Sequence, residues 1–372
     1  MKILRIAERT LPLRGGKEVH VAELTRAQVA MGHEVTLLYS AGDGGLDGQS
    51  QQIMLPSVAR QFRGLSRTFL FAAAATRHMS RGYDLIHAHG DLAEAWWISR
   101  RWSPAAPTVL TVHGQLNPRY SRLSRLAFRN IGAFIALGDN VHEDLLGCGV
   151  PDSRIVTMSS GVNRGMLAAV EAPRKPGHIT CVGSLDAVKN VETVIAAVRS
   201  LPTNILVHLD IIGDGPLRQQ LEIQAAGDPR ISFHGQLPRE RVYEHVQASD
   251  LFIIASRRLA SKGEGVPTAL LEAMALGTAC LVSSEATPGS AIPRSDSYVV
   301  FDPLDTKSLS DLILRCLTDA EQLRRLGTLA SEAVAHLDWP NQAQRVMGAY
   351  ERAIEHHSAV IGRRQNWSHP SA

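Results

Sequence analysis

The segment Glu264-Gly-Val-Pro-Thr-Ala-Leu-Leu-Glu272-Ala-Met-Ala-Leu-Gly277 sets two carboxylates on either side of a helix-start signal. Pro267 suits the first helical position, where a missing N–H costs nothing, so Glu264 falls in the preceding loop and Glu272 on the second turn. Backbone N–H groups of the loop and first turn, with the positive end of the helix dipole, then form a site for phosphate. An ionised carboxylate accepts from two hydroxyls at once, which suits Glu264 and Glu272 to a sugar or ribose. The same residues also fit an acidic loop before a capped surface helix. His113 follows the apolar run PTVLTV, where an imidazole can orient a hydroxyl or polarise a phosphate oxygen; it equally fits a satisfied core or loop histidine. His87 and His89 are read as alternating to opposite faces of a strand, and so as poor joint metal ligands.

Other chemistries lack their residues. There is no Asp-x-Asp for a divalent ion, and no G-x4-G-K-[ST], G-x-G-x-x-G or H-E-x-x-H, which lowers the NTPase, dinucleotide oxidoreductase and zinc hydrolase readings. The expectation is a site with no metal ligand. Cys148, Cys181, Cys280 and Cys316 stand more than thirty residues apart, so they read as unpaired thiols of a reduced compartment.

These residues need a scaffold, and 372 residues, 44% of them apolar, supply two domains with sizeable cores. A net charge of +3 with 20% charged residues excludes a disordered chain, and near-neutrality argues against nucleic acid. Apolar runs such as Phe69–Thr76 fall far short of the roughly 20 residues of a spanning helix. The first residues, MKILRIAERT, lack the apolar core of an export signal, so a cytoplasmic location is expected. Strand-like runs alternate with amphipathic helices: MKILRI, HEVTLLYS, YDLIHAHG, PTVLTVHG, AFIALG and RIVTMSS in the first half; HITCVGSL, VHLDIIGDG, ISFHG, DLFIIAS and ACLVSS in the second. Such alternation predicts parallel sheets covered on both faces, with ligands outside the C-terminal strand ends. The expected division is a domain over 1–165, a Pro- and Gly-interrupted linker over 166–178, a domain over 179–340, a helix over 341–357 and a flexible tail over 358–372.

GEGVPTALLEAMALG resembles the Glu-x7-Glu signature of the retaining glycosyltransferases of family four, and VGSLDAVKNVETVIAAV, IIGDGPLRQQL, FHGQLP and ASDLFIIAS precede it in that family's order. GGKEVHVAELTRAQVAMGHEVTLL, TVHG and GVPDSRIVTMSSGVN look like its other landmarks, so the likeness runs from Met1 to about Tyr350. It implies an α/β protein of the GT-B fold, two Rossmann-like doubly wound domains facing across a cleft, with the last helix crossing back to the first. It further implies that Glu272 holds the ribose hydroxyls, that Glu264 and the amides of Gly265, Val266 and Pro267 hold the donor sugar, and that Lys189 meets the diphosphate. Gly15 and Gly16 match the loop that approaches the diphosphate from the other domain, and Gly183, Thr268 and Leu271 belong to the matching donor-binding segments. Base contacts would be largely backbone, near Leu237. His113 matches the histidine beside sugar and acceptor, and His20 a position near the Gly-rich loop. The family's mechanism uses no protein nucleophile, the departing phosphate helping to deprotonate the acceptor.

Two departures stand out. Ser184 replaces the Arg usual in the family's VGRL loop, so that either a neighbour such as Arg257 or Arg258 supplies the second cation or donor binding is weaker, and the loop RRLASKG before Glu264 is longer than the commonest version. Residues 1–165 hold 19 Lys and Arg against 13 Asp and Glu. Arg60, Arg63 and Arg67 on a helix predicted over 59–76, and Arg119, Arg122, Arg125 and Arg129 on a helix predicted from about 119 to 130, form basic faces suited to anionic lipid or simply to water. The resulting expectation is a transferase without a bound cofactor, using a UDP- or GDP-type hexose or N-acetylhexosamine donor and a glycan acceptor on a lipid carrier at the inner face of the membrane. The alternatives are a small-molecule acceptor, a non-catalytic nucleotide-sugar binder, or an epimerase or phosphorylase on the same fold.

Overall fold

A computed structural model describes residues 1–13, 15–46, 50–55, 65–79, 82–100, 106–292 and 295–367. The chain forms two units, Met1–Gly161 with Trp339–Ala372, and Val162–Asp338. In chain order the first contains β1 (Lys2–Ala7), α1 (Gly16–Ala30), β2 (Glu34–Tyr39), β3 (Gln51–Met54), α2 (Leu65–Ala75), β4 (Leu85–His89), α3 (Leu92–Arg100), β5 (Thr108–Val112), α4 (Ser121–Phe128), β6 (Ala133–Leu137), α5 (Asp139–Gly147) and β7 (Ile155–Met158). The second contains α6 (Arg164–Ala168), β8 (Lys175–Val182), α7 (Val191–Ser200), β9 (His208–Ile212), α8 (Arg218–Ala225), β10 (Ile231–Gly235), α9 (Arg239–Ala248), β11 (Ser249–Ile254), α10 (Thr268–Ala275), β12 (Ala279–Ser283), β13 (Val299–Phe301), α11 (Thr306–Leu317) and α12 (Ala320–Ala333). The last helix, α13 (Trp339–Trp367), belongs to the first unit.

Strand order is β3-β2-β1-β4-β5-β6-β7 in one sheet and β10-β9-β8-β11-β12-β13 in the other, and every pairing is parallel. Strands covered on both faces lose the in-out alternation, and β4, β5, β6 and β12 are buried at every position. In the first unit, Leu4, Ile86, Leu110 and Phe134 pack under α2 to α5, while Ile3, Leu85, Val109 and Ile135 pack under Leu24 of α1 and Val346, Ala349, Tyr350 and Ala353 of α13. In the second, Ile179, Leu209, Leu251 and Leu281 meet α7, α8 and α11, and Phe252, Ile254, Cys280 and Val282 meet α9, α10 and α12.

The expected boundaries shift. Asn163 caps α6 by accepting the Met166 N–H at 3.1 Å, and Leu167 is buried in the second core, so residues 166–168 are not linker. Pro176 and Gly177 lie inside β8, where the Gly177 N–H donates to Asp250 at 2.7 Å. The expected flexible tail is helical as far as Trp367. Of the basic helix predicted over 59–76, residues 65–75 form α2; Arg60 and Arg63 lie outside the described residues. The second basic helix spans Ser121–Phe128, shorter than expected at both ends. Among the described residues no helix is long and apolar enough to cross a membrane.

Candidate active site

In a doubly wound sheet the loops part where strand order reverses, at the C-terminal ends of the two strands flanking that point. Here these are β1 and β4 in the first unit, and β8 and β11 in the second.

In the second unit, β8 leads into Gly183, Ser184 and the turn that delivers Lys189. Asn190 fixes that turn: it sits in the left-handed region at φ 51°, and its side-chain amide donates to the carbonyls of Ala255 at 3.1 Å and Pro303 at 2.9 Å. The Lys189 ammonium donates to one oxygen of Glu264, and the Ser256 hydroxyl, just past β11, donates to the other. Lys189 and Glu264 remain 19% and 18% exposed, so a ligand can reach a charge pair shielded from bulk water. The loop after β9 lies against this turn because residue 213 is glycine. Its φ is +140°, and a Cβ there would stand 1.8 Å from the Gly183 carbonyl oxygen.

Pro267 proves to be the N-cap of α10 rather than its first residue. Proline carries no N–H, which corrects the expectation that its amide serves as a donor. The available donors are Gly265 and Val266, both buried in the loop, and Thr268 and Ala269, since the first bond inside the turn is from Leu270 N–H to Pro267 O at 3.1 Å. Leu271 is fully buried and its N–H is bonded to Pro267 O, so it supports the helix from below rather than facing the site. Glu272 does lie on the second turn. Its Oε1 accepts from Arg239 at 2.6 Å and from the Tyr243 hydroxyl at 2.8 Å. Burial, with the Glu272 charge adding to it, pushes the Tyr243 phenol above its ordinary range. Leu237 is half-buried in the turn between β10 and α9, two residues ahead of Arg239.

The Arg257 guanidinium is held by Glu192 at 3.2 Å and by the Ala187 carbonyl at 3.2 Å. The backbone N–H of Arg258 donates to Glu285. Ser184 instead donates to Asp186 at 3.1 Å, and Asp186 also accepts from Lys262 at 3.0 Å. Lys262, from the long loop, thus shares Asp186 with Ser184.

In the first unit Gly15 caps α1, Gly16 begins it, and both are exposed. Four histidines gather beneath that helix start: His20 on α1, His87 and His89 on β4, and His113 one residue past β5. Residues two apart on a strand share a face, so placing His87 and His89 on opposite faces was an error; their rings stack with centroids 4.3 Å apart. His89 Nδ1 lies 3.2 Å from His113 Nε2, and His20 meets His113 edge-on at 5.0 Å. His20 Nδ1 bonds Ser160 at 2.8 Å, whereas His20 Nε2 and His89 Nε2 are buried with no hydrogen-bond partner among the described residues. Behind them lies Arg5, fully buried, whose partners are Thr25, Gln28 and the Tyr350 hydroxyl, none of them a carboxylate. Burial holds all four imidazoles below their ordinary range, His20 at about 3, and neighbouring positive charge lowers each further. They are therefore neutral hydrogen-bonding groups at neutral pH.

Sequence reasoning missed Glu94, which is buried at the start of α3 and accepts the Asp91 N–H at 3.1 Å. Burial raises its carboxyl to about 7, although Lys17 opposes the shift. An Asp-x-x-Glu capping pattern at 91–94 was the available signal. Ser256, Arg239 and Tyr243 were also missed; for the last two, the i, i+4 spacing on one helix face was the visible trace.

Known proteins match this arrangement. The family model for glycosyl transferases group 1 matches residues 167–332, and that for glycosyltransferase family 4 matches residues 14–165. The D-inositol 3-phosphate glycosyltransferase of Xylanimonas cellulosilytica is 23% identical over 93% of both chains. The amylovoran biosynthesis glycosyltransferase AmsK of Erwinia amylovora is 27% identical over 46% of this chain and 43% of its own. Among solved structures, HepE of Anabaena in complex with UDP and glucose superposes with a TM-score of 0.77 at 16% identity, covering 94% of this chain and 99% of that one. Two parallel doubly wound units give the fold as GT-B. With one family model on each unit, the chain belongs to the family 4, group 1 glycosyltransferases.

Proposed function

We propose that this glycosyltransferase moves a hexose or N-acetylhexosamine from a UDP- or GDP-type donor to an acceptor hydroxyl with retained configuration, and that the acceptor is a glycan on a lipid carrier. The observation carrying the proposal is the Lys189–Glu264–Ser256 group at the switch point of the second sheet, beside the start of α10. A nucleoside diphosphate gains negative charge as it departs. A fixed ammonium and backbone N–H groups stabilise that charge without reorganising. In this reading Lys189, with Lys262 assisting, meets the diphosphate, Glu264 and the amides of Gly265 and Val266 orient the sugar, and Glu272 exchanges its Arg239 and Tyr243 contacts for ribose hydroxyls. Neutral His113 supplies a hydrogen bond to sugar or phosphate, and the departing phosphate takes the acceptor proton. The absence of Asp-x-Asp supports a transfer step that needs no divalent ion.

The relatives support a glycan acceptor, since AmsK is named for amylovoran biosynthesis. A lipid-borne glycan also suits α4, on which Arg122 and Arg125 are exposed beside Leu123 and Leu126, 46% and 49% exposed. Incubation with UDP- and GDP-sugars and lipid-linked acceptors, with the new linkage assigned by NMR, tests the proposal. Retention is expected, with activity at least about 100-fold lower in Lys189→Ala and Glu264→Ala, from a loss of roughly 3 kcal/mol of transition-state stabilisation. Full activity in both variants, or inversion, overturns it.

A further inference from the structure

In the second sheet, four histidines converge on one buried carboxylate. His178 on β8 pairs in register with His208 on β9, and Asp210 follows His208 on the same face. Ser232 of β10 pairs with Asp210, and the register then shifts at His234, whose ring reaches Asp210. α9 covers it and brings His245, while the other end of the helix carries Arg239 to the donor site. Asp210 is 4% exposed. His234 Nε2 stands 2.5 Å from its Oδ1 and His208 Nε2 3.5 Å; His178 Nδ1 stands 3.3 Å from its Oδ2 and His245 Nδ1 3.6 Å. One ligand atom each from Asp210, His234 and His245 lies within 4.8 Å of the other two.

We propose that Asp210, His234 and His245 bind a zinc ion that ties the edge strands β9 and β10 to α9. Imidazole and carboxylate are donors of four-coordinate Zn²⁺, a water taking the fourth position beside these three ligands, and ligand atoms already this close need only small side-chain rotations to surround an ion. The site has the other requirements of a metal centre. His208 Nε2 and His178 Nδ1 reach the two oxygens of the same carboxylate, which they orient as outer partners of a ligating group do. The imidazoles of His234 and His245 are 28% and 22% exposed, which gives an ion a path inward. The end of α9 is anchored, because the His245 carbonyl accepts from Ser249 at 2.8 Å and from Thr180 at 3.3 Å. None of these five residues is among the groups assigned to transfer, so the role proposed is structural and stands whether or not the donor reading does. The sequence reading expected no metal ligand because these five residues come from four elements, with no motif spacing among them.

The test uses the full chain, stripped with a chelator and titrated with Zn²⁺ by calorimetry, then with Co²⁺ followed by its visible spectrum. One ion per chain, a raised melting temperature and a four-coordinate Co²⁺ spectrum are expected. His234→Gln with His245→Gln should weaken binding at least tenfold, and Asp210→Asn alone should also weaken it. Binding by the double variant equal to that of the unaltered chain would place the ion on other histidines and overturn the proposal. So would no binding, or a Co²⁺ spectrum of six-coordination. If the double variant fails to fold, Asp210→Asn decides by the same criteria.

Discussion

At the scale of residues, the first unit has built a pocket that resists protonation. His20, His87, His89 and His113 are all depressed by burial, and Arg5 adds a buried positive charge beside His20, His87 and His89. A depressed imidazole contributes stability that is present in full above its unfolded value, near 6.5, and is lost as pH falls toward the folded one, because the unfolded chain binds protons the native chain refuses. Each such histidine adds up to about 1.4 kcal/mol per pH unit. Urea unfolding should therefore show stability falling steeply below about pH 6.5, with a shallower fall in His20→Asn. Glu94 has the opposite sign: its carboxyl is raised to about 7, so its contribution is lost as pH rises through that value, and Glu94→Gln should gain on the parent chain above it. Equal slopes in parent and His20→Asn, or no gain for Glu94→Gln, would contradict this electrostatic picture. Of the candidate site, the sequence exposes Glu264 and Glu272 through a local helix-start pattern, and Lys189 only through the family resemblance. It hides Arg5, Ser256 and Tyr243, whose meaning depends on which strand or helix lies beside them.

At the scale of elements, alternation of strands and helices was legible because parallel strands buried on both faces read as short continuous apolar runs, as in β5 and β6. The elements that escaped reading have reasons. β3 is a short, partly exposed edge strand of sequence QQIM, and β13 has three residues, too few for a period. α12 carries Gly327 in its interior, which reads as a break; there a Cβ would meet the Gly277 carbonyl oxygen at 2.2 Å, so the glycine lets the helix close on the turn after α10. Pro267 was displaced by one residue, the usual uncertainty at a helix end. α4 carries a prediction of its own. With Arg122, Arg125, Leu123 and Leu126 exposed on one short helix, the chain should co-sediment with vesicles rich in phosphatidylglycerol and not with neutral ones, and Arg122→Glu with Arg125→Glu should abolish that at physiological salt. Equal binding to both vesicle types would remove the membrane role.

At the scale of the whole molecule, the first unit is built from both ends of the chain. α13 buries Val346, Ala349, Tyr350 and Ala353 against β1, β4, β5 and β6, and the Tyr350 hydroxyl accepts from Arg5 at 3.2 Å and bonds His87 Nδ1 at 2.8 Å. A chain ending at Asp338 should accordingly lose cooperative unfolding of the first unit, seen as a missing calorimetric transition, whereas removal of 368–372 should leave it intact; a truncated chain that melts as the full one does would contradict that assignment. The second unit holds its own core and, in this account, the nucleotide. Calorimetric titration of the full chain with UDP, GDP, ADP and TDP tests that most directly, comparing the parent with Lys189→Ala. One nucleoside diphosphate should bind the parent and bind the variant at least about tenfold more weakly, a loss of about 1.4 kcal/mol. Equal affinity in both, or no binding by any of the four, would contradict the account.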